Sequence, residues 1–400
     1  MKNSKSQHRT LVRRPGEREQ LNPGLQSGEP GREREANPDF SPGRLLLILL
    51  LASLLFAGDS SWVWINAESL TLYGQAEDAA ITGYARIPDS LGQTIRPELA
   101  RLGTHSSGLI IAFKTASPEI RIRWSVLYGT QLPHMPLTGV QGLDLYAVDP
   151  AREDWNYVGT AKWWGKDTLC HEATLLENWP GGLRHYALFL PLYDGIDSLL
   201  VGVPAGHGLE KTSLFDERSK PVIIYGTSIT QGGCASRPGM AYPAILSRRL
   251  HYEVLNFGFS GNGRLDPEMA DYLAKLPASL LIIDALPNVS ADDVEKKLMG
   301  FIRRFRSQSG LPILVVPNIS YGHEDDNRET GEALAVKDRA YQSVRKMCKK
   351  TGIRNVTFIS FKRIRFDDDE GTVDGVHLTD LGMKRHADNL YPSIRKKIIQ

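Results

Sequence analysis

Cysteine is scarce in this chain: Cys170, Cys234 and Cys348 are the only three among 400 residues. So few thiols, so far apart, exclude a disulfide-stapled scaffold, and the lack of a Cys-x-x-Cys pair excludes a zinc ribbon or finger. One pair could be bridged, and the spacing does not choose which. An excess of either charge is also missing. Lys and Arg number 48 against 46 Asp and Glu, a net charge of +2, so there is no basic stripe of the kind that grips nucleic acid. No Gly-x-x-x-x-Gly-Lys-Ser/Thr loop is present to cradle a nucleotide phosphate. No apolar run reaches the ~20 residues that a membrane helix needs. The nearest is residues 45–57, which follow Arg44 and contain one serine. Their length and basic flank match the core of a secretory signal, cleaved after Ala57 or Ala67. The alternative is an uncleaved signal-anchor, with Trp62, Val63, Trp64 and Ile65 at the membrane surface. Aromatic residues are almost absent from residues 1–43, which are rich in Arg, Glu, Gly, Pro and Ser and are expected to form a disordered leader.

Residues 44–67 are therefore assigned to the signal or anchor, and two folded domains follow. Residues 68–212 lack long helical periodicity. Short apolar runs at 109–113, 120–126, 143–148, 186–190 and 198–203 are separated by turn signals such as Ser106-Ser107-Gly108, Asp149-Pro150 and Pro180-Gly181-Gly182. That pattern predicts an all-β sandwich. In residues 213–400, strand-like and helix-like stretches alternate five times, which predicts an α/β domain with a parallel, flavodoxin-like sheet. The linker at 209–220 is short, charged and without Gly/Ser runs, so the two domains are expected to pack together.

The stretch Pro221-Val222-Ile223-Ile224-Tyr225-Gly226-Thr227-Ser228 runs from a buried strand into small polar residues. It puts Ser228 at the carboxyl end of a parallel strand, where such sheets keep their ligand crevices. A serine is a weak nucleophile unless a base takes its proton and a carboxylate orients that base. Asp374 and His377, three residues apart ahead of the last helix, can supply both. Each signal alone is also met by an ordinary strand-to-loop turn or a helix cap beside a surface histidine.

Taken together, these stretches resemble the SGNH (GDSL-like) hydrolase family over roughly the last 180 residues. Asn256-Phe257-Gly258-Phe259-Ser260-Gly261-Asn262-Gly263 matches the family's glycine block at Gly261. Asp284-Ala285-Leu286-Pro287-Asn288 matches its asparagine block at Asn288. Gly226-Thr227-Ser228-Ile229-Thr230 stands where the family has Gly-Asp-Ser-Leu, and Asp-x-x-Pro-Asn where it has Gly-x-Asn-Asp; both forms resemble a subgroup. The resemblance implies Ser228 as nucleophile, His377 as base and Asp374 as its orienting acid. It implies Ser228, Gly261 and Asn288 as oxyanion-hole donors, with no cofactor and no metal. Gly142-Leu143-Asp144-Leu145-Tyr146 is similar to the Gly-x-Asp-Leu-Tyr signature of a domain that precedes certain SGNH hydrolases, as is Leu190-Pro191-Leu192-Tyr193-Asp194-Gly195. Asp144 is expected to close a turn or pair with an arginine, and Tyr146 to be core.

The function implied is that of an exported serine esterase, periplasmic or extracellular, acting on O-acyl and first of all O-acetyl esters of carbohydrates. The rivals are a thioesterase or lysophospholipase of the same fold, and a non-catalytic carbohydrate-binding protein. The expected partner is an ester substrate, small or carbohydrate, with no nucleic acid, and a membrane only if the leader stays uncleaved. Trp163 and Trp164 are read first as packing and second as sugar-stacking groups. The acidic stretches 323–326 and 367–370 read as solvated loops, His251 and His386 as surface or capping groups, and Cys234 as a packed small residue.

Overall fold

The computed structural model describes residues 61–398 except 153, 165–168, 322–323, 361–367 and 369. The expectations for the leader, the apolar segment 45–57, His323, Asp367 and Asp369 lie outside these residues. Ten short strands come first, the last of them inside the linker: β1 (Trp62–Asn66), β2 (Thr71–Tyr73), β3 (Ile110–Thr115), β4 (Ile120–Val126), β5 (Asp144–Asp149), β6 (Asp154–Thr160), β7 (Cys170–Leu176), β8 (Arg184–Phe189), β9 (Ile196–Pro204) and β10 (Glu210–Lys211). They form two antiparallel sheets, ordered β1-β9-β4-β7 and β10-β3-β8-β5-β6, with β2 on β3. Ile122 and Trp124 of one sheet meet Ile111, Leu145 and Leu188 of the other in a shared core, which makes a sandwich.

One expectation is corrected at the front of this domain. Trp62, Val63, Trp64 and Ile65 are not a membrane-facing flank; they are β1, in register with Val201 to Pro204 of β9. The indole faces lie under guanidinium groups, Arg121 4.1 Å from Trp62 and Arg123 3.9 Å from Trp64. The domain thus begins by Trp62 rather than at Glu68, and Ala67 is fully buried in it. Among the described residues no helix is long and apolar enough to cross a membrane.

The second sheet of the sandwich is covered on both faces, which is why β3, β5 and β8 read as nearly continuous apolar runs. Its far face (Ile110, Ala112, Tyr146, Val148, Ala187 and Phe189) packs on Leu214 and Phe215 of the linker and Ala244 of the next domain. In that domain five parallel strands run in the order β12-β11-β13-β14-β15. They are β11 (Val222–Gly226), β12 (Val254–Gly258), β13 (Leu280–Asp284), β14 (Ile313–Val315) and β15 (Val356–Phe358). This is the flavodoxin-like order, with strand one in second place, and helices cover both faces. The helix Arg328–Lys350 starts where the Asn327 side chain accepts from Thr330 N–H at 3.0 Å and caps it. Ser290 makes no such cap; its neighbours form a 3-10 turn ahead of the helix Val294–Arg306.

The two domains are joined through buried polar groups. The fully buried Arg86 donates to the carbonyls of Leu102 and His105 on its own side and of Asn256 and Gly258 across the boundary, at 2.6–2.9 Å. Gly108, at φ +87, lies so close to Asn256 that a Cβ there would come within 2.5 Å of the asparagine's own. Glu253 accepts from Gly74 N–H at 2.6 Å. Burial pushes the Glu253 carboxyl from the usual 4.5 up to about 7, against the Gly74 bond that favours its ionised form. The folded protein therefore holds this proton more tightly than the unfolded chain does. The stability from this group is complete below pH 4.5 and is lost as pH rises through 7. Urea unfolding across that window should show a downward slope that Glu253→Gln flattens; identical profiles for the two proteins would refute it.

Candidate active site

β11 delivers Ser228 at the first position of a one-turn helix, Ser228–Gln231, capped by the Thr227 side chain, which accepts from Ile229 N–H at 3.3 Å. The preceding Gly226 has to be glycine, because a Cβ there would meet Thr230 Oγ1 at 1.9 Å. Ser228 N–H sits where a helix has no internal acceptor for it. The serine is mostly buried, with its Oγ 2.9 Å from His377 Nε2. On the other side of the ring, Nδ1 lies 2.7 Å from Asp374 Oδ2. Asp374 Oδ1 meanwhile accepts the N–H groups of Val376 at 3.0 Å and His377 at 2.7 Å. One carboxylate thus folds the turn and holds the ring it carries. Burial raises the Asp374 carboxyl, but the bonds from the His377 N–H and ring outweigh it and hold the group below the usual carboxylate range. An ionised Asp374 makes Nδ1 the protonated nitrogen and leaves Nε2 to accept from Ser228.

Gly261 and Asn288 also come together. The amide end of Asn288 facing the Gly261 and Asn262 N–H groups must be its oxygen, since an NH₂ there would meet two donors. So oriented, Oδ1 accepts both at 3.2 Å. The Gly261 N–H is therefore engaged by Asn288, the side chain expected beside it in the oxyanion hole. Gly261 has φ +66, the left-handed region that suits glycine.

Several supporting groups were not foreseen from the sequence. Tyr193 donates from the accessory domain to the Ser228 carbonyl at 3.3 Å; it lies in the Leu190–Gly195 stretch, which had signalled its domain but no role. Gln231 binds the Leu192 carbonyl at 2.9 Å and accepts from Ser260 N–H at 2.9 Å, so it braces the loop carrying Gly261. Ser236 N–H donates to Asp380 at 2.9 Å, tying the loop after Ser228 to the helix after His377. His386, expected at the surface or in a cap, is instead fully buried. Its Nε2 is 3.2 Å from Asp284 Oδ2, which also accepts from Tyr242 at 2.7 Å behind the Ser228–Gln231 turn. Its spacing from Met383, Leu390 and Ile394 puts it on the inner face of the helix Asp380–Ile398.

The remaining readings resolve as follows. Asp144 pairs with Arg237 at 2.7 Å and accepts from Gly239 N–H at 2.8 Å, and Tyr146 is buried beside them. Trp163 packs on Trp124 and His171, with ring centroids 5.5 and 4.4 Å away, whereas Trp164 is 96% exposed. His251 ends its helix in the left-handed conformation. Cys234 and Cys348 are buried, and no disulfide joins the described residues.

The sequence profile of the GDSL-like lipase/acylhydrolase family matches residues 219–395. The GxDLY profile, the N-terminus of SGNH-hydrolase-type esterases, matches residues 62–209. A solved protein of Bacteroides ovatus ATCC 8483, described as a GDSL-like lipase, is 32% identical over 84% of this chain and 98% of its own, with a TM-score of 0.78. The chain belongs to the GDSL-like lipase/acylhydrolase family. It is a carboxylic ester hydrolase of the two-domain form that carries the GxDLY domain. This GDSL-like hydrolase also shares its fold with a salicylyl-acyltransferase from a tetracycline biosynthetic pathway, at 19% identity over 85% of this chain and 98% of the other, TM-score 0.66. A family two carbohydrate esterase of Clostridium thermocellum, solved with cellohexaose, has the same fold at 15% identity over 73% and 93% of the chains, TM-score 0.53. No curated protein matches it.

Proposed function

We propose that this GDSL-like hydrolase is an exported serine esterase that removes O-acyl groups, acetyl first, from carbohydrates. The hydrogen-bonded row Ser228–His377–Asp374 carries the reading. Ser228 Oγ attacks the ester carbonyl as His377 Nε2 takes its proton, and Asp374 stabilises the imidazolium that forms. The tetrahedral oxyanion is met by the N–H of Ser228 and the NH₂ of Asn288, and by the Gly261 N–H once it turns from Asn288 Oδ1 to the substrate. Collapse expels the sugar alkoxide, protonated by His377, and leaves an acyl-serine. Water, deprotonated by the same ring, then releases the acid.

The sugar preference is supported by the fold shared with the carbohydrate esterase and by the exposed Trp164 ring, which offers an apolar face to a sugar. A thioesterase or lysophospholipase remains the rival within this fold. Purified protein should release acetate from acetylated oligosaccharides, with kcat/KM on p-nitrophenyl esters falling as the acyl chain lengthens. Faster cleavage of the octanoate than of the acetate would point to a lipase instead. Asn288→Ala should lower kcat about 10²–10³-fold at little changed KM; an unaltered kcat would remove Asn288 from the oxyanion site.

Export is supported by the signal-like segment 45–57. Of the two cleavage sites, the one after Ala57 is favoured, because cutting after Ala67 would strip β1 from its sheet. Intact mass of the mature protein tests this, and a chain beginning at Glu68 would refute it.

A further inference from the structure

We propose that His134, Cys234 and His377 form a binding site for a soft divalent transition metal of the Zn²⁺ class, through which the metal switches the enzyme off. One ligand atom of each of these side chains lies within 4.8 Å of the other two. They arrive from three separate places. His134 comes from the accessory domain, in the loop between β4 and β5; Cys234 follows the nucleophile turn; His377 stands before the last helix. The His134 and His377 rings are already in contact, with centroids 5.6 Å apart.

Bonds of about 2.0–2.3 Å to a tetrahedral ion put ligand atoms roughly 3.3–3.8 Å from one another, so the cluster must contract by about an ångström. His134 is exposed and can move to allow this. Two imidazoles and a thiol are a donor set for Zn²⁺, Cd²⁺ or Co²⁺ and a poor one for Mg²⁺ or Ca²⁺, which take oxygen. The fourth position would fall to water or to Ser228 Oγ, already 2.9 Å from the His377 nitrogen that would bind the metal. Asp374 on the opposite nitrogen completes the carboxylate–histidine–metal arrangement that raises ligand basicity.

Cys234 is otherwise idle. Burial, and then the charge of Asp374, push its thiol up to about 12, so it is no nucleophile at neutral pH. A cation at this place reverses that balance, displacing the thiol proton to solvent as the thiolate binds. With Nε2 of His377 occupied, Ser228 loses its proton acceptor. The metal site stands on the three ligands alone; only the loss of activity rests on the reading of His377 as the base.

The experiment uses the full protein freed of metal, with two readouts. In the first, Co²⁺ is titrated into wild type and into Ser228→Ala while the thiolate-to-metal charge-transfer band is followed. Both should show the band and Cys234→Ser should not. In the second, Zn²⁺ is titrated into the p-nitrophenyl acetate assay. Inhibition should be reversed by EDTA, and the Zn²⁺ needed should rise about 10-fold or more in Cys234→Ser and in His134→Ala, whose metal-free activity is kept. His134→Ala, a surface change, keeps the test open should Cys234→Ser not fold. No charge-transfer band in wild type overturns the site, and equal inhibition in all three proteins reduces it to His377 alone and overturns it too. A band without inhibition overturns the switch. A band in a protein that has no esterase activity supports the site while sinking the esterase reading.

Discussion

Replacing Ser228 with alanine is expected to lower kcat on p-nitrophenyl acetate about 10⁴- to 10⁶-fold with KM little changed, because nucleophile and base act as one unit. Asp374→Asn should cost about 10⁴-fold, since an amide at that place no longer fixes the proton on Nδ1 of His377. The side chain at 228 is small and its neighbours Thr227 and Thr230 hold the turn without it, so the alanine protein should melt close to wild type. An organophosphonate should add its mass to the wild-type protein and not to Ser228→Ala. A Ser228→Ala enzyme as fast as wild type would dismantle the mechanism.

The largest loss of stability is expected from Asp144→Ala. The Asp144 carboxylate is fully buried and takes three bonds, from Arg237, Gly239 N–H and Thr160. Removing it strands a guanidinium that is itself largely covered, and breaking such a pair costs about 3–5 kcal/mol. The lower end fits here, because Arg237 keeps the Tyr146 hydroxyl at 2.7 Å and the Tyr157 face at 4.2 Å. Urea unfolding should register the change as a lower midpoint at unchanged slope. A midpoint within experimental error of wild type would mean that the pair does not hold the domains.

Much of this arrangement is visible in the sequence, for local reasons. The Val-Ile-Ile-Tyr run ending in Gly-Thr-Ser reads as a buried parallel strand and its exit because both are written in adjacent residues. The pairing of Asp374 with His377 is legible because three residues of one turn contain it. Elements with a weak or interrupted apolar pattern are harder to read. β6 is an edge strand whose residues alternate poorly, and β7 alternates cleanly but carries a His and a Cys among its first residues. β1 was masked by adjoining an apolar segment, which made its tryptophans look like a membrane flank. His386 shows the opposite case: the helical spacing placed it inward, but a histidine there needs Asp284, and nothing nearby in the chain announces that carboxylate. The bond between Asn288 and Gly261 joins the loops that follow two different strands of one sheet, and the placing of His134 beside His377 depends on how two domains meet; no local pattern records either.

The accessory sandwich is therefore not a detachable passenger. A shortened protein beginning at Lys220 would keep every member of the Ser228–His377–Asp374 row and yet lose the Tyr193 hydroxyl beneath Ser228, the Leu192 carbonyl that anchors Gln231, and the Arg86 guanidinium gripping the end of β12. Grafting this hydrolase half onto another partner would mean rebuilding the underside of its own pocket.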